Sequence, residues 1–224
     1  QRRREKTNMN VLITLGPTQE PIDPIRYITN ASSGKMGKAL TEESLKRGYK
    51  TTVVSGPINL KLPDKAKTLH VTSAKEMTEV SLKELEKKYQ VFISTAAIAD
   101  YSPRFSENKI KSDKDPLTLK LKLNPKLTRL AKKRFPELYV VAFKAEYDVT
   151  EDELINAGNT KIRDEELDMV VANDTRRNKF GGDRNEVYIL SRDKKPIHIP
   201  KDTKTEVAKK IWETITQELR CTSC

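Results

Sequence analysis

Residues 11–40 read VLITLGPTQEPIDPIRYITNASSGKMGKAL. Val11–Leu15 is a short apolar run stopped by Gly16-Pro17, the pattern of a buried strand. A polar loop follows through Asn30. A helix then starts near Ser33, with Met36, Ala39 and Leu40 on one face and Gly48 at its end. A continuously apolar strand followed by a loop and an amphipathic helix is the unit of a parallel sheet buried on both faces.

The same unit recurs along the chain. Thr51–Ser55 predicts a second strand, stopped by Gly56-Pro57. Ser73 and Glu76 have the spacing of a capping box for a helix to about Lys88, and Val91–Thr95 predicts the next strand. Asn124-Pro125 reads as a helix start, with Asn as N-cap and Pro at the first helical position. Tyr139–Phe143 and Met169–Asn173 are further strands, with a second capping box at Thr150 and Glu153 between them. Thr205–Leu219 closes the chain as a helix carrying Val207, Ile211, Trp212 and Ile215. The fold class expected is α/β, a Rossmann-like parallel sheet with helices on both faces.

Two stretches break the rhythm. Leu117–Leu123 alternates strictly between apolar and polar residues, and Glu186–Leu190 with Lys195–Ile199 flanks a turn at Arg192-Asp193. Both read as antiparallel, either an appended sheet or a contact between two copies of the chain. The expected organisation is one nucleotide-binding domain over residues 9–219, with tails at 1–8 and 220–224.

The chain has 224 residues and a net charge of +11. No apolar run reaches the roughly 18–20 residues of a membrane span, and Gln1–Asn8 is basic without an apolar core, which excludes a secretory signal and fits a linker or tail. The two cysteines, Cys221 and Cys224, both fall in the last four residues. A disulfide framework is excluded, and a reducing, cytoplasmic compartment fits. The basic charge suits a nucleic acid or a small phosphorylated substrate. The aromatics are too scattered to build a stacking platform for single strands.

In an open parallel sheet, ligands bind at the carboxyl ends of strands, and polar segments stand at those ends here. After the first strand come Gly16 and then Ser32, Ser33, Gly34 and Lys35, where free amides at a helix start make an anion site. A plain N-cap with glycines selected for packing reads the same way. The segment is not a P-loop, because Met36 follows Gly34-Lys35. After the third strand comes Ser94-Thr-Ala-Ala-Ile-Ala-Asp100. Ser94, Thr95, Ala96 and Ala97 let a ligand lie against backbone, and Asp100 can accept from a base or sugar or help hold a metal. Lys109 and Lys111 sit in a polar loop that can close over phosphates. Pro125, Lys126, Leu127 and Thr128 open a second helix, Phe143-Lys-Ala-Glu146 ends a strand, and Val171–Thr175 ends another.

Taken in order, Gly16–Asn30 with Ser32–Gly37, Ala96–Tyr101, Lys109–Lys111, Leu123–Thr128, Phe143–Glu146, Ala172–Asp174 and Gly182–Val187 resemble the phosphopantothenate–cysteine ligase family, the synthetase half of a bifunctional coenzyme A flavoprotein. The match spans about residues 9–200. The resemblance implies that 4′-phosphopantothenate is activated by CTP with Mg2+, pyrophosphate leaves, and cysteine takes the acyl group from an acyl-cytidylate. It implies Asn30 and Lys109 as catalytic residues. It implies nucleotide binding by Ser94, Thr95, Ala96, Asp100, Lys109, Pro125–Thr128, Phe143 and Lys161, and phosphate or substrate binding by Gly16, Ser32, Ser33, Gly34, Lys35 and Ala97. Metal ligands are not identified. A homodimer is implied, with Leu117–Leu123 as the candidate contact, as is fusion to a flavin-dependent decarboxylase. One position departs from the microbial pattern: the second lysine expected four residues after Lys161 is Glu165, which bears on CTP against ATP.

Two other readings compete. A nicotinamide-dependent oxidoreductase needs a G-x-G-x-x-G turn and usually Tyr-x-x-x-Lys, and none of the seven tyrosines has lysine four residues on. A nucleic-acid-binding module rests on charge alone and lacks a motif.

Overall fold

Six strands lie parallel in one sheet, and buried valines, isoleucines and leucines fill the central ones. The computed structural model describes residues 9–112, 116–178 and 181–222. In chain order these strands are β1 (Asn10–Leu15), β4 (Lys50–Ser55), β5 (Lys67–His70), β6 (Val91–Ser94), β9 (Tyr139–Glu146) and β10 (Met169–Asp174). Then β11 (Arg184–Ser191) and β12 (Ile197–Thr203) add antiparallel at one edge, giving the order β12-β11-β10-β9-β6-β1-β4-β5. The chain begins in the middle at β1 and runs out through β4 and β5. It then returns to β6 on the other side of β1. The reversal opens a crevice at the carboxyl ends of β1 and β6, the place where such sheets bind ligands.

Alternation along each strand divides the core. Val11, Ile13, Val91, Ile93, Val141 and Val171 face α1 (Lys35–Lys46) and α5 (Lys204–Thr222). Leu12, Phe92, Val140 and Val170 face α2 (Ala74–Leu85), α3 (Leu127–Arg134) and α4 (Glu151–Glu165), meeting Met77, Leu127, Ala131, Leu154 and Ile162. Both faces are covered, so the central stretches of these strands bury apolar residues on both faces rather than at alternate positions. Both expected capping boxes form: Ser73 with Glu76 starts α2, and Thr150 with Glu153 starts α4.

Several expectations need correction. The pair β11–β12 forms as an antiparallel hairpin but extends the main sheet rather than standing apart, because Met169–Ala172 of β10 pairs with it directly. Of the alternating run Leu117–Leu123, only Leu121–Leu123 (β8) is strand, paired with β7 (Tyr101–Pro103). The start of α3 is two residues later than Asn124-Pro125 implies. Asn124 is drawn away: its Nδ2 donates to Ala99 O at 2.9 Å and its Oδ1 accepts from Ser102 Oγ at 2.8 Å, leaving Lys126 as N-cap without a side-chain cap. A small hairpin of β2 (Gln19–Pro21) and β3 (Tyr27–Thr29) lies in the stretch expected as loop. Arg220–Thr222 continue α5 instead of opening the tail, while the expected tail residues 1–8, 223 and 224 lie outside the described residues. Among the described residues no helix is long and apolar enough to cross a membrane.

Candidate active site

The first wall of the crevice is the start of α1. Gly16 turns the chain out of β1 with φ 79°, and Gly34 ends the returning loop with φ 74°. Both need the left-handed region that glycine tolerates. Gly37 has a different constraint. A Cβ there would sit 2.3 Å from Leu15 Cβ and 2.6 Å from Thr95 Oγ1, so only glycine lets the first turn of α1 lie on the ends of β1 and β6. The Lys38 amide closes that turn on Gly34 O at 3.0 Å. The amides before it precede the intrahelical ladder and face the crevice with the positive end of the helix dipole.

The floor is the segment after β6. The Ala97 amide donates to Gly16 O at 2.9 Å, and its carbonyl accepts from Thr18 N at 3.3 Å and from Asn30 Nδ2 at 3.1 Å. Asn30 is thereby fixed at the mouth. Ser94 and Thr95 are tied into the sheet: Thr95 Oγ1 donates to Thr14 O at 2.7 Å, and Thr14 Oγ1 donates to Ser94 Oγ at 3.4 Å. Buried Glu20, which the sequence did not single out, braces this floor. Its carboxylate accepts from the Ala74 amide at the start of α2 and from Ser102 Oγ, both at 2.8 Å.

The far wall combines the start of α3 with β9 and α4. Thr128 Oγ1 donates to the buried Glu165 carboxylate, and Lys161 Nζ donates to the same carboxylate at 2.6 Å. Glu165 thus neutralises the expected nucleotide-binding lysine from one helical turn away. Asp100 is likewise partnered, accepting from Lys126 Nζ across the rim.

These walls enclose a cleft of about 510 Å3, within the roughly 300–1,000 Å3 of small-molecule sites. Asn30, Ser32–Lys35, Ser94–Ala97, Asp100, Pro125–Thr128, Phe143 and Lys161 all line it. Two expected residues do not. Gly16 lies behind the wall, where a Cβ would meet Ile58 Cγ2 at 2.7 Å. Lys109 is exposed on a loop pinned elsewhere. The Ile110 amide donates to Asp23 Oδ2 at 3.1 Å, Arg26 Nη2 donates to Ile110 O at 2.6 Å, and the Ser106 amide donates to Ile22 O at 2.9 Å. The Arg26 guanidinium beside the fully buried Asp23 carboxyl, with the amides of Ile25, Ile110 and Arg26, holds that carboxyl well below the usual carboxylate range. The loop bearing Lys109 is therefore anchored to the β2–β3 turn and not to the cleft.

Four further lining residues were not named as site residues: Asn173 and Asn185 fall inside segments that the strand ends and the resemblance marked, while Asn178 and Lys204 carried no such signal. Asn173, Asn178, Asn185 and Lys204 come from the end of β10 and from the residues after it. Asn178 is structural: Nδ2 donates to Asp174 O and Glu186 O at 2.9 Å each, and Oδ1 accepts from Glu186 N at 2.8 Å. Among the described residues, no group of three His, Cys, Asp or Glu side chains converges as a metal cage.

Chain comparisons agree with this geometry. Residues 6–219 match the model of the DNA/pantothenate metabolism flavoprotein C-terminal domain. The chain is 41% identical over 214 residues to the coenzyme A biosynthesis bifunctional protein CoaBC of Thermococcus kodakarensis, covering 93% of this chain and 51% of that protein. It spans about half the length of the curated relatives it matches. Among solved structures, the crystal structure of the C-terminal domain of a coenzyme A biosynthesis bifunctional protein CoaBC superposes with TM-score 0.79 at 32% identity, covering 95% of this chain and 96% of that one. The DNA/pantothenate metabolism flavoprotein from Streptococcus pneumoniae superposes with TM-score 0.82 at 28% identity, covering 94% and 99%.

Proposed function

The chain belongs to the family of the DNA/pantothenate metabolism flavoprotein C-terminal domain, and from this premise we propose that it ligates 4′-phosphopantothenate to cysteine, with CTP as the activating cosubstrate. The observation that carries the reading is the convergence of the α1 N-terminus, the Ala96–Ala97 floor and the Pro125–Thr128 wall on one cleft at the strand reversal.

Little proton chemistry is required of the protein. The substrate carboxylate is ionised at neutral pH, so it attacks the α-phosphorus directly and pyrophosphate leaves. The amine of cysteine then attacks the acyl carbonyl of the acyl-cytidylate, loses a proton, and CMP leaves. Catalysis comes from positioning and charge stabilisation. Lys35 and the first amides of α1 hold phosphoryl oxygens. The α3 amides and Phe143 bound the space for a base. Asn30, held by Ala97 O, orients the acyl intermediate at the mouth. Magnesium fits as an ion carried with the nucleotide, since it keeps waters and phosphate oxygens as ligands with one or two carboxylates, and Asp100 is a carboxylate on the cleft wall. When bound, it neutralises charge on the leaving pyrophosphate.

Lys109 enters this scheme by loop closure or from a second copy of the chain. A homodimer is supported by the exposed apolar residues of the β7–β8 ribbon and its flanks, Tyr101, Phe105, Leu117, Leu121 and Leu123. As one domain of a longer bifunctional protein, the chain would receive its acid substrate and pass its product to a flavin-dependent decarboxylase.

The test is pyrophosphate release from CTP or ATP with magnesium and 4′-phosphopantothenate, with and without cysteine. Steady release only with cysteine supports the ligase and names the nucleotide. Asn30→Asp is expected to slow the cysteine-dependent step more than formation of the acyl-nucleotide. Absence of release with either nucleotide, from folded protein, refutes the activity for this chain.

A further inference from the structure

Lys35 and Lys204 reach the same end of the cleft from opposite ends of the chain. Lys35 opens α1, and Lys204 opens α5, where Thr203 Oγ1 accepts from the Glu206 amide at 3.3 Å and so sets the helix start. Residues 181–183 strap the two together. Lys35 Nζ donates to Gly181 O at 2.8 Å and to Asp183 Oδ1 at 2.6 Å. Lys204 Nζ donates to Gly182 O, and its amide donates to Asp183 O at 3.1 Å.

Two ammonium groups and two electropositive helix starts therefore crowd one corner of a cleft. Partial burial, and then the Lys35 ammonium, pull the Lys204 amine below its ordinary value, with Asp183 opposing. The Asp183 side chain is 85% exposed, so its pairing with Lys35 is weakly held and open to exchange. Crowded like charges of this kind are relieved when an anion enters between them.

We propose that Lys204, together with Lys35, is a phosphate-binding residue of the ligase site, and that an incoming phosphoryl group replaces the oxygens of residues 181–183 on the two amines. The inference rests on the ligase reading for the identity of the substrate. The phosphoryl group can come from the triphosphate of the nucleotide or from the phosphate monoester of the acid substrate.

The experiment is calorimetric titration of the full chain and its Lys204→Met and Lys204→Arg variants. The ligands are inorganic tripolyphosphate, CTP and 4′-phosphopantothenate, with cytidine and pantothenate as unphosphorylated controls. Lys204→Met is expected to weaken tripolyphosphate and one of the two substrates by about 10- to 100-fold, on the scale of one charge-assisted contact. The substrate that weakens identifies the source of the phosphate. The controls are expected to change less than twofold, Lys204→Arg to retain most of the affinity, and the dependence on salt to flatten in the methionine variant. Lys204→Gln, which keeps a donor for Gly182 O, replaces Lys204→Met if the latter loses helical signal. A variant that binds all three phosphorylated ligands within twofold of wild type overturns the proposal. If wild type binds tripolyphosphate but neither substrate, the ligase reading falls and the tripolyphosphate arm still decides Lys204. If wild type binds none of the three, both fall.

Discussion

Glu84 shows how much of this protein's behaviour is set by single carboxylates. Its side chain is 7% exposed and accepts from Lys67 Nζ at 2.9 Å, Lys87 Nζ at 2.7 Å and Tyr89 Oη at 2.7 Å. Burial pushes its pKa up, but the donors Lys87, Lys67 and Tyr89 outweigh burial and hold it at about 2. The ordinary value for the unfolded chain is 4.5. The unfolded state therefore binds more protons between these values, and the stabilisation from Glu84 is full above about pH 4.5 and lost as pH falls toward 2. Denaturation midpoints of wild type and Glu84→Gln, measured from pH 7 to pH 2.5, are expected to differ most at neutral pH and to converge on acidification. A gap independent of pH would refute the assignment. The same kind of pairing changes the meaning of Lys161. As a residue in a list it reads as a free cation for a nucleotide; in the fold Glu165 takes its charge and Thr128 shares the carboxylate.

At the scale of elements, the decisive contact is α1 on the ends of β1 and β6. It depends on the missing side chain at Gly37. Gly37→Ala inserts a methyl against Leu15 Cβ and is expected to cost about 1–3 kcal/mol, as overpacked sites do. It should also weaken anion binding, because the first turn must lift from the floor. Chemical denaturation with a parallel binding titration checks both, and an unchanged midpoint would show that the helix shifts without strain. The elements that were legible carried local signals. Two capping boxes lie at α2 and α4, and apolar runs mark β1, β6, β9 and β10. The start of α3 was misplaced because Asn124 spends its amide on Ala99 and Ser102, residues far away in the chain. The run 117–123 alternates in sequence, but β7 offers only three residues to pair with it.

At the scale of the molecule, α5 closes the structure. Trp212, the sole tryptophan, is fully buried, packs its ring tilted at 50° against Tyr49 with centroids 5.3 Å apart, and donates from Nε1 to Leu40 O at 3.0 Å. It bonds the last helix to α1, the helix whose start lines the cleft. Trp212→Phe is expected to lower stability by about 2–3 kcal/mol through the cavity and the lost bond. Far-UV dichroism during thermal unfolding measures this, and a loss under about 0.5 kcal/mol, the usual scale of surface substitutions, would mean α5 packs without it. The sequence by itself determined the class of fold and the polar strand ends, because hydrophobic period, caps and turn residues act over a few neighbours; the family resemblance, not local pattern, named residues such as Asn30, Phe143 and Lys161 that line the cleft. Only the tertiary structure decided three things: that β11–β12 joins the main sheet, that the Lys109 loop is anchored on Asp23, and that Lys204 stands beside Lys35. Each depends on partners brought together from distant parts of the chain, and no local pattern records a contact between residues 35 and 204.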